Sequence, residues 1–142
     1  MGDKYYTPEI EEFCVGFEFE SSEYGRKIWV EEKFELDFGF GNELLDIYNK
    51  GYQCTYLRVK YLDGEDIESL GFKRLTDDCY NLPVKEFRGR LDQEVRIIVR
   101  KTILIYLAMG VGDKDNVVLF TGNIKNLSEF KVILKQLNIK YR

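Results

Sequence analysis

The sequence predicts an α+β fold: an antiparallel β-sheet with two or three helices, the last of them amphipathic, in a single domain over residues 1–142. Three observations carry this. Several segments alternate apolar and polar residues with the period of a half-buried strand. The C-terminal stretch repeats its apolar residues with the period of a helix. No alternating βαβ pattern and no internal repeat is present.

The elements follow in chain order. Phe13, Val15, Phe17 and Phe19 alternate with Cys14, Gly16, Glu18 and Glu20, which reads as a first strand. Residues 21–25 supply a turn. In the next segment Ile28, Val30, Phe34, Leu36 and Phe38 share one parity, against Lys27, Trp29, Glu31, Lys33, Glu35 and Asp37 on the other, so the two strands read as a hairpin. Asn42 is placed to cap a short helix over residues 43–48, and Gly51 stands where a C-terminal glycine belongs. A third strand over residues 52–62 turns Leu57, Val59 and Tyr61 to one side and Tyr56, Arg58 and Lys60 to the other. Asp63-Gly64 reads as a turn, followed by one helical turn over residues 65–70 that Gly71 ends. Residues 72–75 and 79–82 read as short strands around Thr76-Asp77-Asp78, and Pro83 opposes continuation as a central strand. Residues 94–101 alternate, with Val95, Ile97 and Val99 opposite Arg96 and Arg100. Residues 103–109 are apolar on both parities, as a central strand requires. A loop over residues 110–116 leads to a last strand over residues 117–121. Leu127, Phe130, Ile133, Leu134 and Leu137 then form one helical stripe, with Asn126 as N-cap and Glu129 at the third helical position.

Composition excludes much chemistry. The chain has no histidine, the usual general base near neutral pH and the commonest metal ligand. Ser-His-Asp and Cys-His arrangements, the His-x-Glu deaminase signature and the HExxH helix are therefore absent. Cys14, Cys54 and Cys79 have no CxxC spacing. Cys14 and Cys54 sit in apolar or alternating runs that fit small buried thiols in a reducing compartment, and Cys79 follows two aspartates, the opposite of what activates a thiolate. No apolar run is long enough for a transmembrane helix. The first six residues lack a signal-peptide core, and Tyr6 stands where a myristoylation motif needs Ser or Thr. A cytoplasmic protein without a membrane partner is the expectation.

Charge is distributed unevenly. Residues 1–50 carry 13 acidic and 5 basic side chains, and residues 51–142 carry 12 acidic and 16 basic ones. Such asymmetry marks either an interaction surface or, more simply, acidic and basic strands that lie side by side and pair across a sheet.

Candidate sites are few. Gly39-Phe40-Gly41-Asn42 and Gly110-Val111-Gly112-Asp113 lack the continuation of a dinucleotide or P-loop motif and read as turns. Asp63-Gly64-Glu65-Asp66 and Asp113-Lys114-Asp115-Asn116 do not match a calcium loop and read as solvated turns, so no metal or other cofactor is implied. The basic strand faces are more suggestive: Arg58 and Lys60 with Tyr56 on one, Arg96 and Arg100 on another, and Lys85, Arg88 and Arg90 between. If these faces adjoin, arginine forks beside aromatic rings suit phosphates, and Tyr56 or Trp29 would stack a base. The alternative is an exposed face with salt bridges. Trp29, the only tryptophan, fits either core or an interface anchor. The acidic balance argues against long nucleic acid.

Three stretches carry a resemblance: Tyr5-Tyr6-Thr7-Pro8-Glu9-Ile10-Glu11-Glu12-Phe13 with Gly16-Phe17-Glu18; Asp66-Ile67-Glu68-Ser69-Leu70-Gly71-Phe72; and Gly122-Asn123-Ile124-Lys125-Asn126-Leu127-Ser128-Glu129-Phe130, continuing to Leu137. Together they resemble small uncharacterised proteins of Bacteroidetes genomes and their phages. The resemblance brings no catalytic motif. It implies a non-enzymatic phage or prophage accessory protein in the host cytoplasm, acting as a counter-defence sponge for a phosphorylated nucleotide signal. The second expectation is a module that blocks a host protein through its acidic N-terminal hairpin, with Glu18, Glu20, Trp29 and Glu31. Sheet edges and aromatic faces also invite a homo-oligomer.

Overall fold

The structure, a computed structural model, describes residues 3–23, 28–34, 55–84, 93–109 and 116–142. The fold is α+β. Where the sequence pattern points to one sheet, the described strands sort into two antiparallel sheets, accompanied by two α-helices. The chain divides into two compact units, residues 1–61 with 126–129 and residues 62–125 with 130–142. The expected helix over residues 43–48, both Gly-x-Gly loops, Leu36, Phe38, Cys54, and Lys85, Arg88 and Arg90 lie outside the described residues.

The first unit holds β1 (Tyr5–Tyr6), a 3-10 turn (Ile10–Glu12), β2 (Glu18–Glu23), β3 (Val30–Lys33) and β4 (Thr55–Lys60), in the sheet order β1-β4-β2-β3. The expected hairpin is β2–β3, with Glu18 opposite Lys33 and Glu20 opposite Glu31. Its first strand starts later than the alternation suggests. Gly16 has φ +91°, a conformation that glycine adopts at little cost, and Phe17 N–H donates to the Cys14 carbonyl at 2.9 Å. This turn interrupts the run. Phe17 and Phe19 are buried with Leu57 and Val59, and Tyr6, Phe13 and Phe34 pack against that cluster, whereas Val15 is exposed. Cys14 is exposed as well, against the expectation of a buried thiol, because it lies in the same turn. Ile28 and Val30 are also exposed despite sharing parity with Phe34. Val30 lies opposite Ser21 near the start of the outer strand, where no large neighbour covers it among the described residues.

The second unit is a meander. β5 (Lys73–Arg74), β6 (Cys79–Val84), β7 (Gln93–Val99), β8 (Ile103–Met109) and β9 (Val117–Gly122) pair in sequence order. Pro83 stands inside β6, opposite Glu94. Val99 N–H donates to the Asp78 carbonyl, which by alternation makes Pro83–Glu94 a non-hydrogen-bonded pair, and among the described residues β5 pairs only with Tyr80 and Asn81, so the missing N–H removes no described ladder bond. β8 is central, and Ile103, Ile105, Tyr106, Leu107 and Ala108 are all buried. Helix α1 (Gly64–Ser69) begins where the sequence suggests a turn: Asp63 Oδ1 accepts from Asp66 N–H at 3.0 Å and Asp66 Oδ2 accepts from Asp63 N–H at 3.2 Å. Aspartate at both ends of this reciprocal cap does the work that Ser/Thr and Glu more often share.

Helix α2 (Leu127–Gln136) is the expected C-terminal helix. Asn126 Oδ1 accepts from Glu129 N–H at 2.9 Å, and Phe130 and Leu134 are fully buried while Val132 and Lys135 are exposed. Asn138, at φ 57°, ends it: Ile139 N–H donates to Leu134 O at 2.8 Å and Asn138 N–H to Lys135 O at 3.0 Å. This is a left-handed cap with asparagine in the place glycine usually takes. At the other end, Asn126 Nδ2 donates to the Tyr6 hydroxyl at 2.9 Å, Tyr6 donates to Glu12 Oε1 at 2.8 Å, and Ser128 Oγ accepts from Glu18 N–H at 2.9 Å. Burial pushes the Tyr6 hydroxyl well above the usual tyrosine range, with the bond from Asn126 opposing it and the bond to Glu12 adding to it. No described helix is long and apolar enough to cross a membrane.

Candidate functional site

Opposed residues in an antiparallel ladder share a face, as do residues two apart on one strand. Tyr5 opposes Lys60, Arg58 opposes Glu20, Glu20 opposes Glu31, and Trp29 stands two residues before Glu31. One face of the first sheet therefore gathers Tyr5, Lys60, Arg58, Glu20, Glu31 and Trp29, while Phe17, Phe19, Leu57 and Val59 form the core of the unit.

Arg58 is the centre of this face. Its guanidinium carbon lies 3.8 Å from the centroid of Tyr5 and 3.9 Å from that of Trp29, so an aromatic ring covers each flank. Its Nε donates to Glu20 Oε2 at 2.7 Å, and both side chains keep about a quarter of their surface, 25% and 23%. Among the described residues Nη1 and Nη2 make no hydrogen bond. Lys4 adds its ammonium 5.7 Å from the Tyr5 centroid. The β1–β4 half of the face is thus basic and the β2–β3 half acidic, with Arg58 and Glu20 at the boundary. Glu20 and Glu31 would repel as direct neighbours, and the arginine beside Glu20 offsets that. Arg58 and Glu20 form one cross-strand pair between a basic and an acidic strand.

The structure brings three of the sequence-predicted residues, Arg58, Lys60 and Trp29, onto one face. Trp29 is half-buried, and its ring covers the arginine. Tyr56 has the parity of Arg58 on β4, but its side chain lies outside the described ones. Tyr5 supplies the second ring, and sequence alternation did not single it out because β1 is only two residues long. Its one signal was the aromatic pair Tyr5-Tyr6 just before Thr7-Pro8.

Arg96 lies on β7 of the second sheet and Arg100 follows it, whereas Arg58 and Lys60 lie on β4 of the first. Arg96 Nε donates to Glu94 Oε2 at 3.3 Å, and Asn81 Nδ2 shares that oxygen at 3.4 Å. A hydrogen bond with Tyr106 raises the Arg96 pKa above its ordinary value. Asn81 Oδ1 is buried and has no hydrogen-bond partner among the described residues. Arg100 follows β7 rather than lying on it, and its Nε meets Asp78 Oδ2 at 2.9 Å with the arginine side chain 72% exposed. That contact holds the Asp78 carboxyl below the usual range. Cys79 is half-buried, and burial pushes its thiol up, away from nucleophilic reactivity. Among the described residues no three potential metal ligands converge.

Comparison of the chain with protein-family models, with curated proteins and with solved structures finds no match.

Proposed function

We propose that the protein is a non-enzymatic binding protein that takes a small phosphorylated ligand, of the nucleotide class, on the charged face of its first sheet. The observation that carries this is the state of Arg58: a guanidinium fixed on both flanks by rings and at Nε by Glu20, with its two Nη groups available for a forked contact with an oxyanion. Lys60 and Lys4 add positive potential on the same half. A binder needs no general base, which fits a chain without histidine. Following the resemblance in the sequence, the ligand is a host nucleotide signal and the protein sequesters it on behalf of a phage.

Thermal unfolding against linear and cyclic nucleotides tests the reading. A ligand at 100 times its dissociation constant adds about 2.7 kcal/mol, and Arg58→Met should abolish the shift while leaving the Arg96→Met variant responsive. A second reading rests on Ile28 and Val30, 68% and 53% exposed at the outer strand of an acidic hairpin: the hairpin docks on a host protein. Silence with every nucleotide, together with a host protein retained by the wild type and lost on Trp29→Ala, would put that reading first.

A further inference from the structure

We infer that β9 is an association edge, on which a second copy of this chain lays its own β9 and so extends the second sheet. A strand edge offers unpaired N–H and C=O groups to any extended chain, and folded proteins blunt such edges by shortness, charge or proline. Among the described residues every sheet edge but one is blunted. β1 is two residues long. β3 carries Glu31, Glu32 and Lys33 in its four residues. β5 is the dipeptide Lys73-Arg74, and the stretch of β6 beyond its reach holds Pro83. β9 is different: its six residues, Val-Val-Leu-Phe-Thr-Gly, include no charge and no proline. Nothing pairs with its outer side among the described residues, and Val117 and Val118 are 48% and 59% exposed. Its one irregularity is a bulge at Leu119, between Val118 opposite Tyr106 and Phe120 opposite Ile105. The bulge bends the strand and leaves the residues on both sides of it in the ladder.

The same comparison names the occupant. A two-fold axis sets an edge strand antiparallel to its own copy, so whatever the strand carries meets its own kind. β3 paired in this way would bring acidic side chains against acidic ones, and β5 would oppose two basic dipeptides. Like charges directly opposed are destabilising. β9 brings together only apolar side chains, Thr121 and Gly122, so it is complementary to itself, whereas an acidic or basic partner strand finds no counter-charge on it. Main-chain hydrogen bonds supply the affinity, as in other strand additions, and the exposed valines are withdrawn from water. Two five-stranded sheets become one continuous sheet. A single strand pair is a small interface, so the dimer is a weak one.

Sedimentation velocity over a range of concentrations, on the wild type, Val118→Lys and Val30→Lys, tests this, with circular dichroism to show that both variants keep the wild-type fold. The wild type should pass reversibly from monomer to dimer as its concentration rises. Val118→Lys puts a like charge from each copy on the shared edge and should raise the dissociation constant roughly tenfold. Val30→Lys alters a valine of similar exposure, 53%, on a different edge and should leave the constant unchanged. Hydrogen exchange on the wild type needs no variant: amides of residues 117–122 should slow as concentration rises, and those of residues 30–33 should not. A wild type that stays monomeric throughout overturns the inference, as does a dimer that Val118→Lys leaves intact. Exchange in β9 that slows only when a different protein is added gives the edge to that partner and overturns it too.

Discussion

Replacing Arg58 by Met keeps the unbranched apolar stem of the side chain and removes the guanidinium, and with it both ring contacts and the ion pair with Glu20. Two ring contacts near 3.8 Å contribute about 0.5–1 kcal/mol each at a partly exposed position. The ion pair with Glu20 adds roughly 0.5–1 kcal/mol. Arg58→Met should therefore cost about 1.5–3 kcal/mol, with Glu20 and Glu31 left opposed and no arginine beside Glu20. A loss of that size lowers Tm by about 3–10 °C for a chain in this size range. Urea denaturation followed by far-UV circular dichroism gives the free energies, and Trp29, the only tryptophan, reports the first sheet by fluorescence wherever it is retained. The decisive arm is the cycle of Arg58→Met, Trp29→Leu and the double variant. A coupling of about 0.5–1 kcal/mol is expected between residues in direct contact. Additivity within roughly 0.3 kcal/mol would refute the claim that the indole holds the guanidinium, and with it the preorganised fork.

Other outcomes follow from single contacts. Tyr6 has a raised pKa in the folded chain, so its contribution is complete below the unfolded value near 10 and declines as pH rises beyond it; wild-type stability should fall by up to about 1.4 kcal/mol per pH unit there, more steeply than that of Tyr6→Phe, in denaturation measured from pH 8 to 11. Asp63→Ala removes one half of the reciprocal cap of α1 and should cost about 1 kcal/mol, with hydrogen exchange accelerated first at residues 64–69 and β2 unaffected. Cys14 is exposed and Cys79 half-buried; brief maleimide labelling read by peptide mass spectrometry should modify Cys14 first, and faster labelling of Cys79 would contradict its burial.

Much of the sheet structure was legible because hydrophobic alternation survives wherever a strand has a core on one side. Leu57 and Val59, Val95 and Ile97, and the doubly apolar β8 are read correctly for that reason. The pattern failed where it could not see where a core ends. Val15 shares parity with Phe17 but sits in the Gly16 turn, and Val30 shares parity with Phe34 but opposes Ser21 near the start of an outer strand. Polar local chemistry was legible at Asn126, whose cap precedes a long apolar stripe, and was missed at Asp63, whose helix is six residues long. The candidate site was half visible. Parity put Arg58 with Lys60, but their neighbour Tyr5 comes from a strand paired with β4 across more than fifty residues, a distance no local pattern spans. Parity equally drew Arg96 toward them, and only the sorting of strands into two sheets parts them.

The hydrogen bonds from Asn126 to Tyr6 and from Glu18 to Ser128 join partners 120 and 110 positions apart in sequence. They also set an order of assembly on the ribosome. The meander from β5 to β9 lies within one uninterrupted stretch and closes through neighbouring strands, the kind of topology that folds early. The first unit, though synthesised first, receives its last bonds only when residues 126–129 emerge. Until then the Tyr6 hydroxyl, already bonded to Glu12, lacks its bond from Asn126, and Glu18 N–H lacks its bond to Ser128.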